Sequence, residues 1–354
     1  MKKRFTMFLF GMLLFVSVAG CNSGREQDGN EEKSEVQEFS SHEEEGASHN
    51  DVTEDNEPPQ TIQYNEDGTV TLPEGYSGTG FYDIDTGKIY GDRATYTTEN
   101  GILRGRVLFQ QNFPETRHYM FIAMVDYVQQ EFAMDGKTYT EFAFDLAGDT
   151  KIEFEIELQV PDGATEFTYL FIPEPDEKEF VKDGEIQGIF LVLKYFNLYR
   201  LRIEDGTGKE GRKPEEYPDE IETVDVTGAR IAYGFTLMEQ DNDKLITEGY
   251  SGQQYELLIS NEDGEEDKEY VITAFLNWKQ VPLVEGIETV YVKVPAGKHY
   301  MLPVTIPEAG EESIYQIYAF GSPYGKINPD SNWGENPATY RMLVNPENDK
   351  TKEE

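Results

Sequence analysis

"TKIEFEIEL" (150–158) decides the fold: Ile152, Phe154, Ile156 and Leu158 alternate with Glu153, Glu155 and Glu157. Successive side chains of an extended chain point to opposite faces. This stretch therefore predicts a strand with one apolar face against a core and one charged face in water. The same period recurs along the chain. "TEFAFDL" (140–146) puts Phe142, Phe144 and Leu146 on one face, "EFTYLFI" (166–172) does so with Phe167, Tyr169 and Phe171, and "TVYVKV" (289–294) with Val290, Val292 and Val294. Turn signals separate these runs, among them Asp135-Gly136, Asp162-Gly163, Asp183-Gly184, Asp205-Gly206 and Glu285-Gly286. Short alternating runs rich in aromatics, with a turn roughly every ten residues, predict an all-β chain of the sandwich type.

The chain also repeats itself. "FIAMVDYVQQ" (121–130) aligns with "VITAFLNWKQ" (271–280), setting Asp126-Tyr127 against Asn277-Trp278 and Gln129 against Gln280. "VPDGATEFTYLFIPEP" (160–175) then aligns with "IPEAGEESIYQIYAFGSP" (306–323), and "LYRLRI" (198–203) with "TYRMLV" (339–344), pairing Tyr199-Arg200 with Tyr340-Arg341. The order is the same in both halves, and the offset drifts only from 151 (126 to 277) to 141 (200 to 341). "EGYSG" occurs twice as well, at 74–78 and 248–252; its larger offset implies an extra hairpin in the first half, "GFYDIDTGKIYGDRATYTTENG". Two sandwich domains are expected, at 61–208 and 221–346, joined by a linker (209–220) rich in Gly, Pro and charge and followed by a charged tail (347–354). Each is long enough to bury a core of its own. The tandem arrangement resembles the immunoglobulin-like modules of exported bacterial proteins. The cysteines that staple antibody domains are absent, which leaves the strand order open.

The first sixty residues differ in kind. Lys2, Lys3 and Arg4 precede an apolar run, Phe5 to Val18, too short to span a bilayer comfortably as a helix, which takes about 20 residues. It has the form of a secretory signal. Val18, Ala19 and Gly20 then precede Cys21, the single cysteine of the 354 residues. This resembles the lipobox of bacterial lipoproteins, with Val18 where that family prefers Leu. The resemblance implies removal of residues 1–20, which leaves Cys21 as the new N-terminus, and a thioether from Cys21 to diacylglycerol with fatty acids such as palmitate. Two acyl chains hold a protein durably where one holds it marginally. The implied location is the outer face of a cell membrane, extracytoplasmic, with the membrane as a partner through the lipid. From Asn22 to Gln60 thirteen carboxylates stand against Arg25 and Lys33, so 21–60 is expected to be a disordered acidic tether. No disulfide framework and no cysteine-based zinc site can be built from one thiol.

A formal net charge of −39 argues against nucleic acid, whose phosphates it would repel. "GYSG" departs from the nucleophile elbow G-x-S-x-G, since Thr79 and Gln253 stand where its last Gly belongs. Outside the acidic segment, which holds His42 and His49, the histidines are His118 and His299, and no zinc spacing occurs. No catalytic set is identified and no cofactor is expected. Calcium is the one metal alternative: Asp83 and Asp85 partly fit the EF-hand spacing, with Gly87 where the third ligand should be, and plain acidic turns are the leading reading. The loop "FGSPYGKINPDSNWGENPATY" (320–340) is long for a hairpin connection and carries Tyr324, Lys326 and Trp333, a candidate ligand loop. Trp278 is expected to be core or cross-strand packing. The composite expectation is a non-enzymatic lipoprotein whose two sandwiches bind a protein or an envelope polymer. The alternatives are a solute-binding lipoprotein, which would need α/β lobes, and an envelope enzyme acting on cell-wall glycan or peptide.

Overall fold

A computed structural model describes residues 75–91, 94–178, 181–182, 185–186, 196–204, 234–239, 246–262, 264–284, 286–324 and 336–346. The lipobox-like residues Val18 to Cys21, the acidic segment, the linker 209–220, the tail, Lys326 and Trp333 lie outside them. Every regular element among the described residues is a strand, and residues 61–354 form one compact unit. The first half runs β1 (Tyr76–Tyr82), β2 (Ile89–Tyr90), β3 (Thr95–Thr97), β4 (Ile102–Asn112), β5 (Arg117–Val125), β6 (Val128–Gln129), β7 (Phe132–Met134), β8 (Lys137–Tyr139), β9 (Glu141–Leu146), β10 (Lys151–Gln159), β11 (Glu166–Pro173), the short pair β12 (Val181–Lys182) and β13 (Glu185–Ile186), and β14 (Asn197–Glu204). The second runs β15 (Phe235–Met238), β16 (Glu248–Tyr250), β17 (Gln254–Asn261), β18 (Lys268–Leu276), β19 (Lys279–Val281), β20 (Thr289–Val294), β21 (Lys298–Thr305), β22 (Ser313–Gly321) and β23 (Met342–Asn345).

The halves are two sandwiches of the same plan. In the first, the sheet β2-β1-β4-β10-β7-β8 faces the sheet β3-β14-β11-β5, whose β5 also carries β6 and β9. In the second, β15-β17-β21 faces β16-β23-β22-β18, with β19 and β20 on β18. A short early strand pairs in parallel with the last strand in each, β3 with β14 and β16 with β23, while all other pairings are antiparallel. This is the strand order of an immunoglobulin-like sandwich with an extra edge strand beside its third. Separate apolar cores fill the two, around Phe81, Phe121 and Phe154 in one and Leu257, Ile272 and Ile317 in the other.

β10 alternates as its sequence requires, with Phe154, Ile156 and Leu158 buried and the intervening glutamates exposed. Its outer face pairs Glu155 with Arg106 at 2.8 Å and Glu157 with Arg104 at 3.0 Å across to β4. Such exposed pairs contribute at most about 1 kcal/mol each. β5, β11, β18 and β22 behave differently. β11 and β22 are buried at every position, and β5 and β18 at all but their ends. Both faces of these strands are covered, which one sandwich alone cannot do.

The two "EGYSG" stretches are not equivalent. The second forms β16, whose counterpart beside the last strand is β3 (Thr95–Thr97), whereas the first opens β1, which pairs with β4. The extra hairpin expected in "GFYDIDTGKIYGDRATYTTENG" is present, Phe81 of β1 pairing with Tyr90 of β2, and a second hairpin, β7–β8, pairs with β10 at its edge through Ala133 and Glu157. Among the described residues of the second half, the connection from β19 to β20 carries a Val284–Ile287 bridge, and β21 pairs with β17 alone. Exposed Pro303 sits on β21, where a residue lacking an N–H suits an edge and discourages further pairing.

Candidate functional site: the contact between the sandwiches

The residues that repeat between the halves meet each other. A third apolar cluster joins Met120, Ile122, Met124 and Leu170 of the first sandwich to Val271, Phe275, Ile314 and Phe320 of the second. It lies between the outer faces of the central strands, which explains their double burial.

At its middle, Gln129 and Gln280 bond reciprocally. The Gln129 amide donates to Gln280 Oε1 at 2.6 Å and the Gln280 amide to Gln129 Oε1 at 2.8 Å. The side-chain amides complete the exchange, Gln129 Nε2 reaching Trp278 O (3.0 Å) and Gln280 Nε2 reaching Tyr127 O (2.9 Å). The four bonds relate the halves by an approximate two-fold axis.

Each glutamine follows a tight hairpin turn with two left-handed residues: Asp126 (φ 46°) and Tyr127 (φ 67°) in one half, Asn277 (φ 46°) and Trp278 (φ 65°) in the other. Mirror-image turns of this kind usually carry glycine. A non-glycine residue held there costs about 1–2 kcal/mol. Two features offset that cost. The Asp126 carboxylate accepts from the Thr165 and Glu166 amides, both at 3.0 Å, while Asn277 Oδ1 accepts from the Ile314 amide at 2.9 Å. The rings of Tyr127 and Trp278, 0% and 3% exposed, fill the contact. Burial raises the Asp126 carboxyl above its ordinary pKa despite those bonds.

Two arginines close the contact at either end. Arg200, 2% exposed, donates across to Gly321 O (2.6 Å) and Ser322 O (3.4 Å). Arg341, fully buried, donates across to Pro173 O (2.6 Å) and Glu174 O (2.5 Å). The acceptors are equivalent in the repeat, and Glu174 (φ 45°) and Ser322 (φ 48°) share a left-handed backbone. The large rings follow suit: Trp278 Nε1 donates to Pro175 O at 2.9 Å, and the Tyr127 hydroxyl accepts from the Tyr324 amide at 3.1 Å.

The counter-charges break the symmetry. Arg200 holds Glu166, itself 0% exposed, through Nε (2.6 Å) and Nη2 (3.0 Å). Glu166 accepts further from Tyr127 (2.5 Å) and Thr168 (3.0 Å). Burial opposes charge on Arg200, but Glu166 and Tyr127 raise its pKa and keep it cationic. The position equivalent to Glu166 is Ile314, and among the described residues Arg341 bonds to backbone carbonyls and lies 4.8 Å from the Trp278 ring, with no ion pair of its own. Its Nε has no partner, and burial pushes its pKa down to about 10.

The site residues expected from sequence fall around this contact or outside the described residues. Tyr324 lies half-buried with its ring 5.2 Å from that of Tyr127, edge to face, so the loop 320–340 leaves its sandwich pinned to the other one. Asn336, where the described chain resumes, accepts from Arg200 at 3.2 Å. Trp278 is buried, but between the sandwiches and not inside one. Asp83 Oδ1 accepts from the Thr86 amide (2.7 Å) and hydroxyl (2.8 Å), as an ordinary turn does, and Asp85 is exposed. Ser251 Oγ accepts from the Ala309 amide at 2.8 Å. His118 pairs with Asp145 at 2.8 Å and His299 with Ser260 at 3.0 Å. Among the described residues no group of three or more His, Cys, Asp or Glu could hold a metal ion.

The sequence carries a signal for the contact. "FIAMV" and "IYQIYAF" do not alternate apolar with charged residues as β10 does, and strands covered on both faces read in that way. Which faces met, and that Glu166 belonged to Arg200, could not be read from spacing.

No family model matches the chain, and neither does any curated protein. Solved structures match distantly. The Salmonella enterica SafA pilin in complex with the SafB chaperone is 10% identical, with 78% of this chain and 98% of that one covered and a TM-score of 0.24. The PapD-like domain 7 of human CEP192 is 7% identical over 44% of this chain and all of that one, at a TM-score of 0.21. Red sea bream transglutaminase is 7% identical over 77% of this chain, which spans only 31% of that enzyme, at a TM-score of 0.20. At these TM-scores the likenesses add nothing to the strand order itself, and no family is assigned.

Proposed function

We propose that the chain is a bacterial lipoprotein, held by acyl chains on Cys21 at the outer face of a membrane, which presents its two sandwiches as one rigid, non-enzymatic binding unit. The observation that carries the anchor is the run Val18-Ala19-Gly20-Cys21 after a basic start and an apolar stretch, with no second cysteine in the chain. The contact supports rigidity: the glutamine exchange, the arginine bonds to carbonyls of the opposite half and an apolar cluster hold the sandwiches together, so a partner would meet one body. The ligand class is a protein or an envelope polymer, with the loop of Tyr324, Lys326 and Trp333 as the candidate contact and the acidic segment as a spacer.

The test is chemical. Mass spectrometry of the mature N-terminus should find Cys21 carrying diacylglycerol, and Cys21→Ala should release the protein or stall its precursor. An unmodified N-terminal residue other than Cys21 would contradict the anchor. Crosslinking in intact cells should recover a discrete partner.

A further inference from the structure

We propose that the groove between the β18–β19 hairpin and the loop 307–313 receives a lysine- or arginine-bearing segment of a partner protein. It has a volume of about 510 Å³, with Leu276, Val281 and Ala309 as its apolar part and Glu308, Glu311 and Lys279 as its charged lining. The groove follows from sequence. From Val160 to Glu166 the first half takes six steps, whereas from Ile306 to the equivalent Ile314 the second takes eight, and the two added residues widen the loop.

The loop is built, not loose. The Ala309 amide donates to Ser251 Oγ (2.8 Å), Asn277 Nδ2 to Ser313 Oγ (3.0 Å), and Ser313 Oγ to Glu311 O (2.9 Å). The same loop already accepts one ammonium group: Lys178 of the first sandwich donates to Glu312 O at 2.5 Å and lies 3.9 Å from Glu312 Oε1. A long cationic side chain suits such a groove because its methylenes cover apolar surface while its head stays among carboxylates and water. The net charge of −39 draws cationic segments toward the protein. Lys279 opposes such a ligand, which gives the inference a prediction of opposite sign.

This deepens the protein-binding role proposed above and rests on it, but its test needs no membrane. Calorimetry of the purified full chain with tetralysine should show one saturable site. Glu308→Gln with Glu311→Gln should weaken it about tenfold, and Lys279→Gln should strengthen it. Glu153→Gln with Glu155→Gln, on the far charged face of β10, should leave it unchanged. Equal weakening by both pairs, or no saturable binding, would overturn the groove, while loss of the lipid on Cys21 would touch only the anchor.

Discussion

Arg200 and Arg341 occupy equivalent places in the two halves and grip equivalent carbonyls across the contact, yet only Arg200 has a carboxylate to hold. The two clasps therefore look alike and should fail differently. Arg200→Met strands Glu166 as a buried, uncompensated charge, which costs about 3–5 kcal/mol. Arg341→Met removes donors from two carbonyls and strands no charge, a loss of about 1–3 kcal/mol. Replacing Arg200 and Glu166 together by apolar residues should recover most of the first loss. Urea unfolding of the three variants measures this, and equal losses for the two single changes would show that Glu166 does not depend on Arg200.

Asp126 and Asn277 form the second unequal pair. The folded-state pKa of Asp126 is raised by burial above its unfolded value of about 3.8. Its protonated form is thus the better fit, and its stabilising contribution is fully present below that value and lost as pH rises through the folded pKa. Asp126→Asn, which copies the other half, should be more stable than the parent at neutral pH, with the gap closing as the pH falls toward 3.8. Thermal unfolding across that range checks it. A neutral-pH loss would mean that the bonds from Thr165 and Glu166 outweigh desolvation.

These pairs show what was legible in the chain. Alternation at Ile152 to Leu158 and the glycine turns fixed the strands, and the ordered repeats fixed two similar sandwiches. The two copies of "EGYSG" are identical residue by residue, yet they enter strands, β1 and β16, that pair with different neighbours, so local identity here does not mean structural equivalence. The contact stayed hidden for a physical reason. Gln129 and Gln280 are half-buried polar residues in strands that look ordinary singly, and only their meeting makes four bonds of them. Tyr199-Arg200 and Tyr340-Arg341 stood out as repeats, but spacing gives no hint that each arginine serves the opposite half.

Pro303 should matter for solubility more than for stability. β21 pairs with β17 alone among the described strands, and its counterpart β10 has a hairpin against the same edge. Pro303→Val restores a donor to that edge, so concentration-dependent association should follow while the unfolding midpoint changes little. Light scattering over a concentration series measures it. A variant as monodisperse as the parent would show that the edge is protected otherwise.

Hydrogen exchange at the Gln129 amide tests most directly whether the sandwiches are clasped in solution. That amide gives its hydrogen bond to a side chain of the other sandwich, Gln280 Oε1 at 2.6 Å. In the parent it should exchange as slowly as the central strands, and Gln280→Ala should free it selectively while the core of the first sandwich keeps its protection. Rapid exchange in the parent, or no response to Gln280→Ala, would contradict the clasp.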